Sequence, residues 1–171
     1  SVVYVNGVNV SGRTYESELG YKCVNKNGNY AYSYFENKHY YININGQISG
    51  PFDYIKELIL TEENNYAYIY LEDGRERVNI NGNVSYKLDL ITDVSLGETG
   101  QYIYSYILNK KHFVNVNGKI LDGSYAWVGN VEIYKDGAFA FDYIPFNNDG
   151  FVYHNNNGKT TKTTHLSSAL L

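Results

Sequence analysis

The chain has 171 residues, with 14 Lys and Arg against 18 Asp and Glu, so its formal net charge is −4. That length fits one ordinary domain, the 43% apolar content is too high for a disordered chain, and the negative charge gives no reason to expect nucleic acid as a partner. Twenty Tyr and 16 Gly with only 2 Pro favour an all-β fold, because Tyr fits half-buried strands and Gly fits turns.

The first residues carry no targeting segment. Ser1–Val5 is an alternating apolar run without an initiator Met or a basic segment, so we expect no signal peptide in this chain. We expect a processed protein or a piece of a longer one, for which a secreted or cell-surface bacterial location is open. No apolar stretch reaches the ~20 residues that span a bilayer, so membrane insertion is not expected. Cys23, the single cysteine, excludes an intramolecular disulfide and is predicted to be a small buried apolar side chain.

A repeat of about 36 residues is the strongest feature of the sequence. Residues 30–65 and 66–101 share 14 identities without a gap. The sequence therefore predicts one β-repeat domain over residues 1–171. Its approximate copies are 1–29 (partial), 30–65, 66–101, 102–138 and 139–171.

Each copy opens with a strictly alternating segment. Tyr30, Tyr32 and Tyr34 share one face, and this period of two indicates a strand rather than a helix. A second alternating strand ends at an Asn-Gly pair. The pair predicts a two-residue type I′ hairpin, because both central residues of that turn need positive φ. A three-residue turn with a glycine bulge is the alternative. The predicted turn residues are Asn45, Gly46, Asn81, Gly82, Asn117 and Gly118.

A short third strand, Gln47 to Ser49, and a longer fourth strand complete the copy. The fourth strand carries three apolar residues at fixed offsets, and we predict that all of them are buried between repeats. These residues and their copies are Ile55, Leu58, Leu60, Ile91, Val94, Leu96, Val128, Val131 and Ile133. No stretch supports a long helix, so the predicted fold class is all-β, built from tandem ~36-residue four-strand repeats.

Six residues of one copy follow the spacing of a known repeat family: Tyr41, Asn43, Gly46, Pro51, Phe52 and Asp53. At this spacing the chain resembles the bacterial WG (KWG) β-repeats, which carry Trp-Gly-aromatic-Ile-Asp, a Gly turn and then Pro-x-Tyr-Asp. The resemblance covers about residues 28–135 and departs from the family near Tyr40, Glu76 and His112, where the Trp-Gly pair should lie. It implies a bacterial repeat scaffold with an interaction role.

One four-strand unit cannot bury its apolar face alone, and stacked neighbours do so. The predicted arrangement is a small β-propeller of about four or five blades. The alternative is an open, twisted β-repeat array. The first copy lacks its opening strand and the last lacks its fourth. We therefore expect the two ends to pair with each other or with a second copy of the protein.

No motif for catalysis, cofactor binding or metal binding is found in the sequence. The histidines are His39, His112, His154 and His165. No two of them lie at the spacing of metal ligands. Asp53 and Asp89 recur beside turns, where we predict that they cap backbone amides. The oxygen-rich loop Asn147–Gly150 offers too few oxygens for calcium and is predicted to be a plain loop. We expect neither an enzyme nor a cofactor.

Twenty tyrosines are too many to bury every hydroxyl with a partner, so some are expected on a surface. The row Tyr32, Tyr68 and Tyr104 is predicted to pack between repeats. Trp127 occurs once, at a position that is Tyr54 or Leu90 in other copies. Unique residues on a repeat scaffold are where function differs from structure. The candidate binding residues are Trp127, Tyr125 and Tyr54.

Two functions fit these observations. The leading prediction is a non-enzymatic bacterial β-repeat module that binds a protein or associates with itself through edge strands. The alternative is a carbohydrate-binding module that uses exposed Tyr and Trp as platforms. Coplanar rings on an exposed face would favour sugar, and an unpaired edge strand would favour assembly.

Overall fold

The computed structural model of the chain describes residues 2–5, 7–11, 19–147 and 151–165, in which every regular element is a β-strand. In this part of the chain, no helix is long and apolar enough to cross a membrane. Three predictions fall partly outside the described residues: the opening residue Ser1, the oxygen-rich loop at 148–150 and the end of the last copy at 166–171.

The described strands form one two-stranded hairpin and four four-stranded antiparallel sheets, each with its strands in chain order. The hairpin comprises β1 (Tyr4–Val5) and β2 (Val8–Asn9). Sheet 1 comprises β3 (Leu19–Val24), β4 (Tyr30–Glu36), β5 (His39–Ile44) and β6 (Gln47–Phe52). Sheet 2 comprises β7 (Tyr54–Leu60), β8 (Tyr66–Glu72), β9 (Arg75–Ile80) and β10 (Asn83–Val84). Sheet 3 comprises β11 (Leu90–Leu96), β12 (Tyr102–Leu108), β13 (Lys111–Val116) and β14 (Lys119–Ile120). Sheet 4 comprises β15 (Trp127–Ile133), β16 (Phe139–Ile144), β17 (Phe151–Asn156) and β18 (Lys159–His165).

The predicted fold class, all-β with tandem four-strand repeats, is confirmed by these sheets. The third strand of the first full copy is longer than predicted, because β6 continues past Ser49 to Phe52. The corresponding strands β10 and β14 have 2 residues each. Short outer strands of this kind limit the backbone that a sheet edge offers for unwanted pairing.

The sheets are offset by one strand from the sequence repeats. Residues 30–65 supply the last three strands of sheet 1 and the first strand of sheet 2. The predicted repeat boundaries are therefore not the sheet boundaries, because sequence similarity marks where a pattern recurs and not where a sheet begins. The last copy contributes three strands, yet sheet 4 has four, since β15 comes from the preceding copy.

The chain divides into two compact units, Ser1–Lys87 and Leu88–Leu171. The first unit contains the β1–β2 hairpin with sheets 1 and 2, and the second contains sheets 3 and 4. The single domain over residues 1–171 stays a prediction. The choice between a closed propeller and an open array also stays a prediction.

Each unit has a core between its two sheets. In the first unit, Ala31 and Ile42 of sheet 1 share a buried cluster with Leu58 and Tyr68 of sheet 2. The corresponding buried cluster of the second unit consists of Ile103, Val114, Val116, Val128, Val131 and Phe141. Each sheet thus buries its apolar face against a neighbour, as a repeat unit must.

A β-bulge in the first strand of each sheet determines which apolar residues face the core. In β7 the register shifts between Ile55 and Glu57, so Lys56 is the extra residue. Ile55 and Leu58 therefore face the same side although they are an odd number of residues apart. Both are buried, whereas Leu60 is half-buried. The burial prediction is confirmed for the first two positions of each copy and is wrong for the third, which is half-buried in Leu60, Leu96 and Ile133.

The Asn-Gly hairpins have the predicted two-residue geometry. Ile44 pairs with Gln47 across the first of them, and φ is 49° at Asn45 and 91° at Gly46. Two positive values identify a type I′ turn and exclude the three-residue alternative. The same turn recurs at Asn81-Gly82, Asn117-Gly118 and Asn157-Gly158.

Candidate functional site

The second strand of each sheet presents a row of aromatic rings on one face, which we call an aromatic ladder. In sheet 1 the ring centroids of Tyr30 and Tyr32 are 6.1 Å apart, and those of Tyr32 and Tyr34 are 6.0 Å apart. Tyr41 of the third strand extends this ladder at 5.3 Å from Tyr34. The ladders of the other sheets are Tyr66, Tyr68 and Tyr70 in sheet 2, Tyr102, Tyr104, Tyr106 and Phe113 in sheet 3, and Phe139, Phe141, Tyr143 and Tyr153 in sheet 4.

The ladders belong to the scaffold. Tyr32, Tyr68 and Tyr104 are buried, which confirms that this row packs inside the protein. In the first unit, the rings of Tyr68 and Tyr70 contact Phe52 of sheet 1 at centroid distances of 5.9 and 4.3 Å. Side chains that do the same packing in every sheet leave little freedom for a ligand, so a binding surface must use other residues.

Two asparagines explain why Asn-x-Asn-Gly recurs in the sequence. The Oδ1 of Asn79 accepts a hydrogen bond from the Gly82 N–H at 2.8 Å, and its Nδ2 donates to the Tyr68 hydroxyl at 2.8 Å. The Oδ1 of Asn81 accepts a hydrogen bond from the Tyr66 N–H at 2.8 Å. The first asparagine therefore joins the turn to the ladder, and the second joins it to the backbone of the ladder strand.

The copies differ at three positions near the turn between the second and third strands of each sheet. These positions hold Phe35, Tyr40 and Tyr54 in one copy, Leu71, Glu76 and Leu90 in the next, and Ile107, His112 and Trp127 in the third. A position that varies on a repeated scaffold is not fixed by the packing that all copies share. Such positions are where a specific contact can be added.

In the first unit these three side chains form a group of rings, which we call the Tyr54 cluster (Phe35, Tyr40 and Tyr54); Tyr40 is half-buried against the core, and the other two are exposed. The ring of Tyr40 lies 4.9 Å from that of Phe35 and 5.5 Å from that of Tyr54, with interplanar angles of 57° and 79°. Phe35 is 39% exposed and Tyr54 is 50% exposed. The cluster therefore presents ring edges as well as faces, in the edge-to-face geometry that aromatic groups prefer.

Polar groups border the Tyr54 cluster. The hydroxyl of Tyr21 donates to the backbone carbonyl of Lys56. Desolvation, with Tyr54 and Glu57 nearby, raises the pKa of Tyr21 above its ordinary value. The ammonium of Lys56 lies 3.2 Å from the carboxylate of Glu76. An apolar centre with a charged border is typical of protein-binding surfaces.

The two recurrent aspartates hold turns, as predicted. Asp53, which precedes Tyr54, accepts a hydrogen bond from the Asp73 N–H at 2.9 Å. Asp89 accepts the equivalent hydrogen bond from the Asn109 N–H at 2.7 Å. Asp53 therefore attaches the backbone segment that carries Tyr54 to the turn between β8 and β9.

The other two predicted binding residues lie in the second unit. The ring of Tyr125 lies 5.9 Å from Phe141 and 4.7 Å from Tyr143, and burial raises its pKa. Tyr125 is thus a half-buried packing residue rather than an exposed platform. Trp127 is half-buried, and its indole covers Gly129 so closely that a Cβ there would clash with the ring. The structure does not bring Tyr125 and Trp127 together with Tyr54 in one unit.

The candidate binding residues predicted from the sequence include Tyr54 but not its exposed neighbour Phe35, and Tyr54 as a binding residue stays a prediction. Tyr40 stands out in the sequence only because the WG-type pattern has its Trp-Gly pair nearby. A position-by-position comparison of the copies shows that positions 35 and 40 differ in the same way as position 54. Phe35 and Tyr40 are aromatic in one copy and are replaced by aliphatic, acidic or histidine side chains in the others.

The described residues offer no group of three or more His, Cys, Asp and Glu side chains that could hold a metal ion. Cys23 is half-buried against the core of the first unit, with its Sγ 3.5 Å from the carbonyl oxygen of Leu58. Burial raises the pKa of the Cys23 thiol, which is the opposite of what a reactive cysteine needs.

The chain is distantly similar to several solved structures. No protein-family model matches it, and no curated protein matches it. One similar structure is BBS1N in complex with ARL6DN, at 14% identity and a TM-score of 0.43, covering 87% of this chain and 56% of that one. Selenomethionine-substituted virginiamycin B lyase from Staphylococcus aureus matches at 10% identity and a TM-score of 0.38, covering 86% of this chain and 70% of the lyase. A catalytically inactive variant of that lyase with quinupristin matches at 14% identity and a TM-score of 0.43, covering 86% and 56%. These similarities are too distant to transfer a function.

Proposed function

We propose that the chain is a non-enzymatic β-repeat module that binds a protein partner through the Tyr54 cluster. The observation that carries this proposal is the exposed position of Phe35 and Tyr54 where the copies of the repeat differ. The ladders hold most other aromatic rings in packing that all sheets share. An exposed aromatic group outside that shared packing is most simply explained by a contact with another molecule.

A protein partner fits the ring geometry better than a sugar does. A sugar ring stacks on a flat aromatic platform, whereas the rings of this cluster are inclined at 57° and 79° to one another. Aromatic residues are enriched at the centres of protein interfaces and supply many of their binding hot spots. The Lys56–Glu76 ion pair supplies a charged border that can orient the partner.

The WG-type resemblance supports the same role. The position near which that family carries its Trp-Gly pair is Tyr40, the central ring of the cluster. Membership in that family, a bacterial origin, a secreted or cell-surface location and the absence of catalysis are parts of this proposal.

The experiment compares the proteins captured by the parent chain with those captured by Tyr54→Ala and Phe35→Ala, using lysate of the source organism and quantitative mass spectrometry. Tyr86→Ala is the matched control, because Tyr86 is 51% exposed in the same unit but is not part of the cluster. We expect a partner whose capture falls at least ~10-fold with both cluster variants and is unchanged with the control. Equal capture by all four proteins would contradict the proposal.

The same four proteins test the other possible ligands. Saturable binding on a glycan array that is lost in Tyr54→Ala would favour the carbohydrate-binding alternative. Concentration-dependent association in sedimentation experiments that Tyr54→Ala abolishes would identify a second copy of this chain as the partner. If Tyr54→Ala leaves such association unchanged, self-association uses another surface, such as a strand edge.

A further inference from the structure

One face of sheet 4 differs in chemistry from the corresponding faces of the other sheets. Equivalent cross-strand pairs of the second and third strands are Ser33–Ile42, Ile69–Val78, Ser105–Val114 and Asp142–His154. The first three pairs are buried. Asp142 and His154 have side chains that are 24% and 35% exposed. We call the face that carries them the His154 face, and it lies opposite the aromatic ladder of sheet 4.

Asp142 fixes the orientation of His154. The Nδ1 of His154 lies 2.8 Å from one carboxylate oxygen of Asp142, and the other oxygen accepts a hydrogen bond from the Nδ2 of Asn130 at 2.8 Å. Asn130 lies in the bulge of β15 and has a φ of 50°. Because Asp142 occupies Nδ1, the atom of the imidazole that can meet a ligand is Nε2. When the ring is protonated, Nε2 carries a hydrogen that it can donate to a ligand.

An open cavity of about 430 Å³ lies on the β17–β18 hairpin beside His154. Its lining residues are His154, Asn156, Asn157, Lys159 and Thr161. Thr161 lies directly opposite His154 in the strand register, and Lys159 lies opposite Asn156. Residues opposite one another share a face, so the hydroxyl, ammonium and imidazole converge on one side of the hairpin. Each lining side chain can donate a hydrogen bond, and none of them is acidic.

We propose that this cavity binds a compact oxyanion, a carboxylate or a phosphate group, between His154, Lys159 and Thr161. Lys159 supplies positive charge, the Thr161 hydroxyl supplies a neutral donor, and the Nε2 of a protonated His154 supplies a third donor. The carboxylate oxygens of Asp142 are engaged by His154 and Asn130. Glu132, which shares this face, lies on β15, two strands away from His154.

The arrangement exceeds what a solvent-facing sheet requires. A solvent-facing sheet needs a polar face for solubility, and exposed Lys and Thr residues are sufficient for that purpose. A hydrogen-bonded chain from Asn130 through Asp142 to His154 holds one imidazole in a single orientation, which solubility does not need. This site is independent of the Tyr54 cluster, because it lies in the second unit and shares no residue with it.

The experiment follows the imidazole nitrogens of the full chain by long-range ¹H–¹⁵N NMR during titration with sodium phosphate and with sodium acetate. Ionic strength is held constant with chloride, and His154→Gln assigns the signals. We expect saturable shifts of His154 with at least one of the two anions, at a Kd in the millimolar range (~1 mM). Lys159→Gln and Thr161→Val should each weaken that binding by ~3-fold or more without changing the melting temperature.

Lys162→Gln is the matched control. Lys162 lies on the same strand but on the opposite face, with its Nζ 3.6 Å from the ring centroid of Phe151. Its replacement should leave the affinity unchanged. Absence of a saturable His154 shift with both anions would overturn the proposal. Equal weakening by Lys162→Gln and Lys159→Gln would also overturn it, since it would identify non-specific charge attraction. Equally tight binding of methyl glucoside would overturn the assignment to an oxyanion.

Discussion

Replacing Asn79 by Ala removes two hydrogen bonds that join a turn to an aromatic ladder. The Asn79 Oδ1 accepts from the Gly82 N–H and its Nδ2 donates to the Tyr68 hydroxyl, both at 2.8 Å. Asn79 is 8% exposed and Tyr68 is 3% exposed, so water cannot readily replace the lost amide. Ser49 also hydrogen-bonds the Tyr68 hydroxyl, so this group keeps one partner in the variant.

The expected cost follows from these contacts. Two intramolecular hydrogen bonds contribute about 0.5–1.5 kcal/mol each, and leaving buried groups less well satisfied adds on the order of 1 kcal/mol. We therefore expect Asn79→Ala to lower the free energy of unfolding of the first unit by about 2–4 kcal/mol. Tyr68→Phe should cost about 1–2 kcal/mol, because it removes the hydroxyl from its contacts with Asn79 and Ser49.

Urea unfolding followed by circular dichroism measures these changes, and Asn155→Ala is the matched control. The Asn155 Oδ1 accepts from the Gly158 N–H at 2.9 Å, but the ladder residue opposite Asn155 is Phe141, which has no hydroxyl. Only the turn hydrogen bond is lost there, so we expect a cost of about 1 kcal/mol. The reasoning is refuted if Asn155→Ala costs as much as Asn79→Ala. It is also refuted if a double-mutant cycle of Asn79→Ala with Tyr68→Phe shows no coupling.

Three further predictions concern the same scaffold. Gly82→Val should destabilise the fold by at least ~1 kcal/mol, because a β-branched residue avoids a φ of 87°, and an unchanged melting temperature would contradict the turn assignment. Leu58→Ala should lower the free energy of unfolding by ~2–5 kcal/mol and Leu60→Ala by distinctly less, since Leu58 is buried and Leu60 is half-buried. Equal losses for the two variants in chemical denaturation would contradict the bulge register. Burial raises the pKa of Tyr68 above its ordinary value of 10.0, so its neutral form stabilises the fold below pH 10.0 and that contribution is lost as the pH rises through the folded-state pKa. Tyr68→Phe should therefore lose less stability than the parent between neutral and alkaline pH, and parallel losses would contradict this.

The features that the sequence predicts well are local ones. The alternation at Tyr30, Tyr32 and Tyr34 follows from the two-residue period of a strand, and it needs no knowledge of the neighbours. The Asn45-Gly46 turn follows from the backbone preferences of two adjacent residues. Both features recur in the four copies that follow the partial first one, so each repeat supports the interpretation of the others.

The features that the sequence predicts poorly depend on which distant segments of the chain lie next to each other in the folded protein. The sheet boundary lies between Phe52 and Tyr54, yet nothing in the residues around them separates that junction from an ordinary turn. The Tyr54 cluster combines residues of two sheets. One local signal was available: Ile55, Leu58 and Leu60 cannot all face one side of a regular strand, because the first step is odd and the second is even. That change of parity indicates a bulge.

The His154 face was hidden for a different reason. The insertion before β17 displaces His154 and Asn156 from the 36-residue spacing, so their equivalence to Ile42 and Ile44 is not apparent from the sequence. The strand register restores that equivalence, because Asp142 pairs with His154 as Ser33 pairs with Ile42. Once the register is known, an ionisable pair stands where the other sheets have a core pair.

The most direct test of the central claim is tyrosine nitration of the folded chain with tetranitromethane, mapped by peptide mass spectrometry. The claim is that the ladders are buried scaffold and that the Tyr54 cluster is surface. We predict that Tyr54 and Tyr86 react, because they are 50% and 51% exposed. Tyr32 and Tyr106, each 1% exposed, should remain unmodified until the chain is unfolded. Nitration of Tyr32 or Tyr106 at the rate of Tyr54 in the folded chain would contradict the claim.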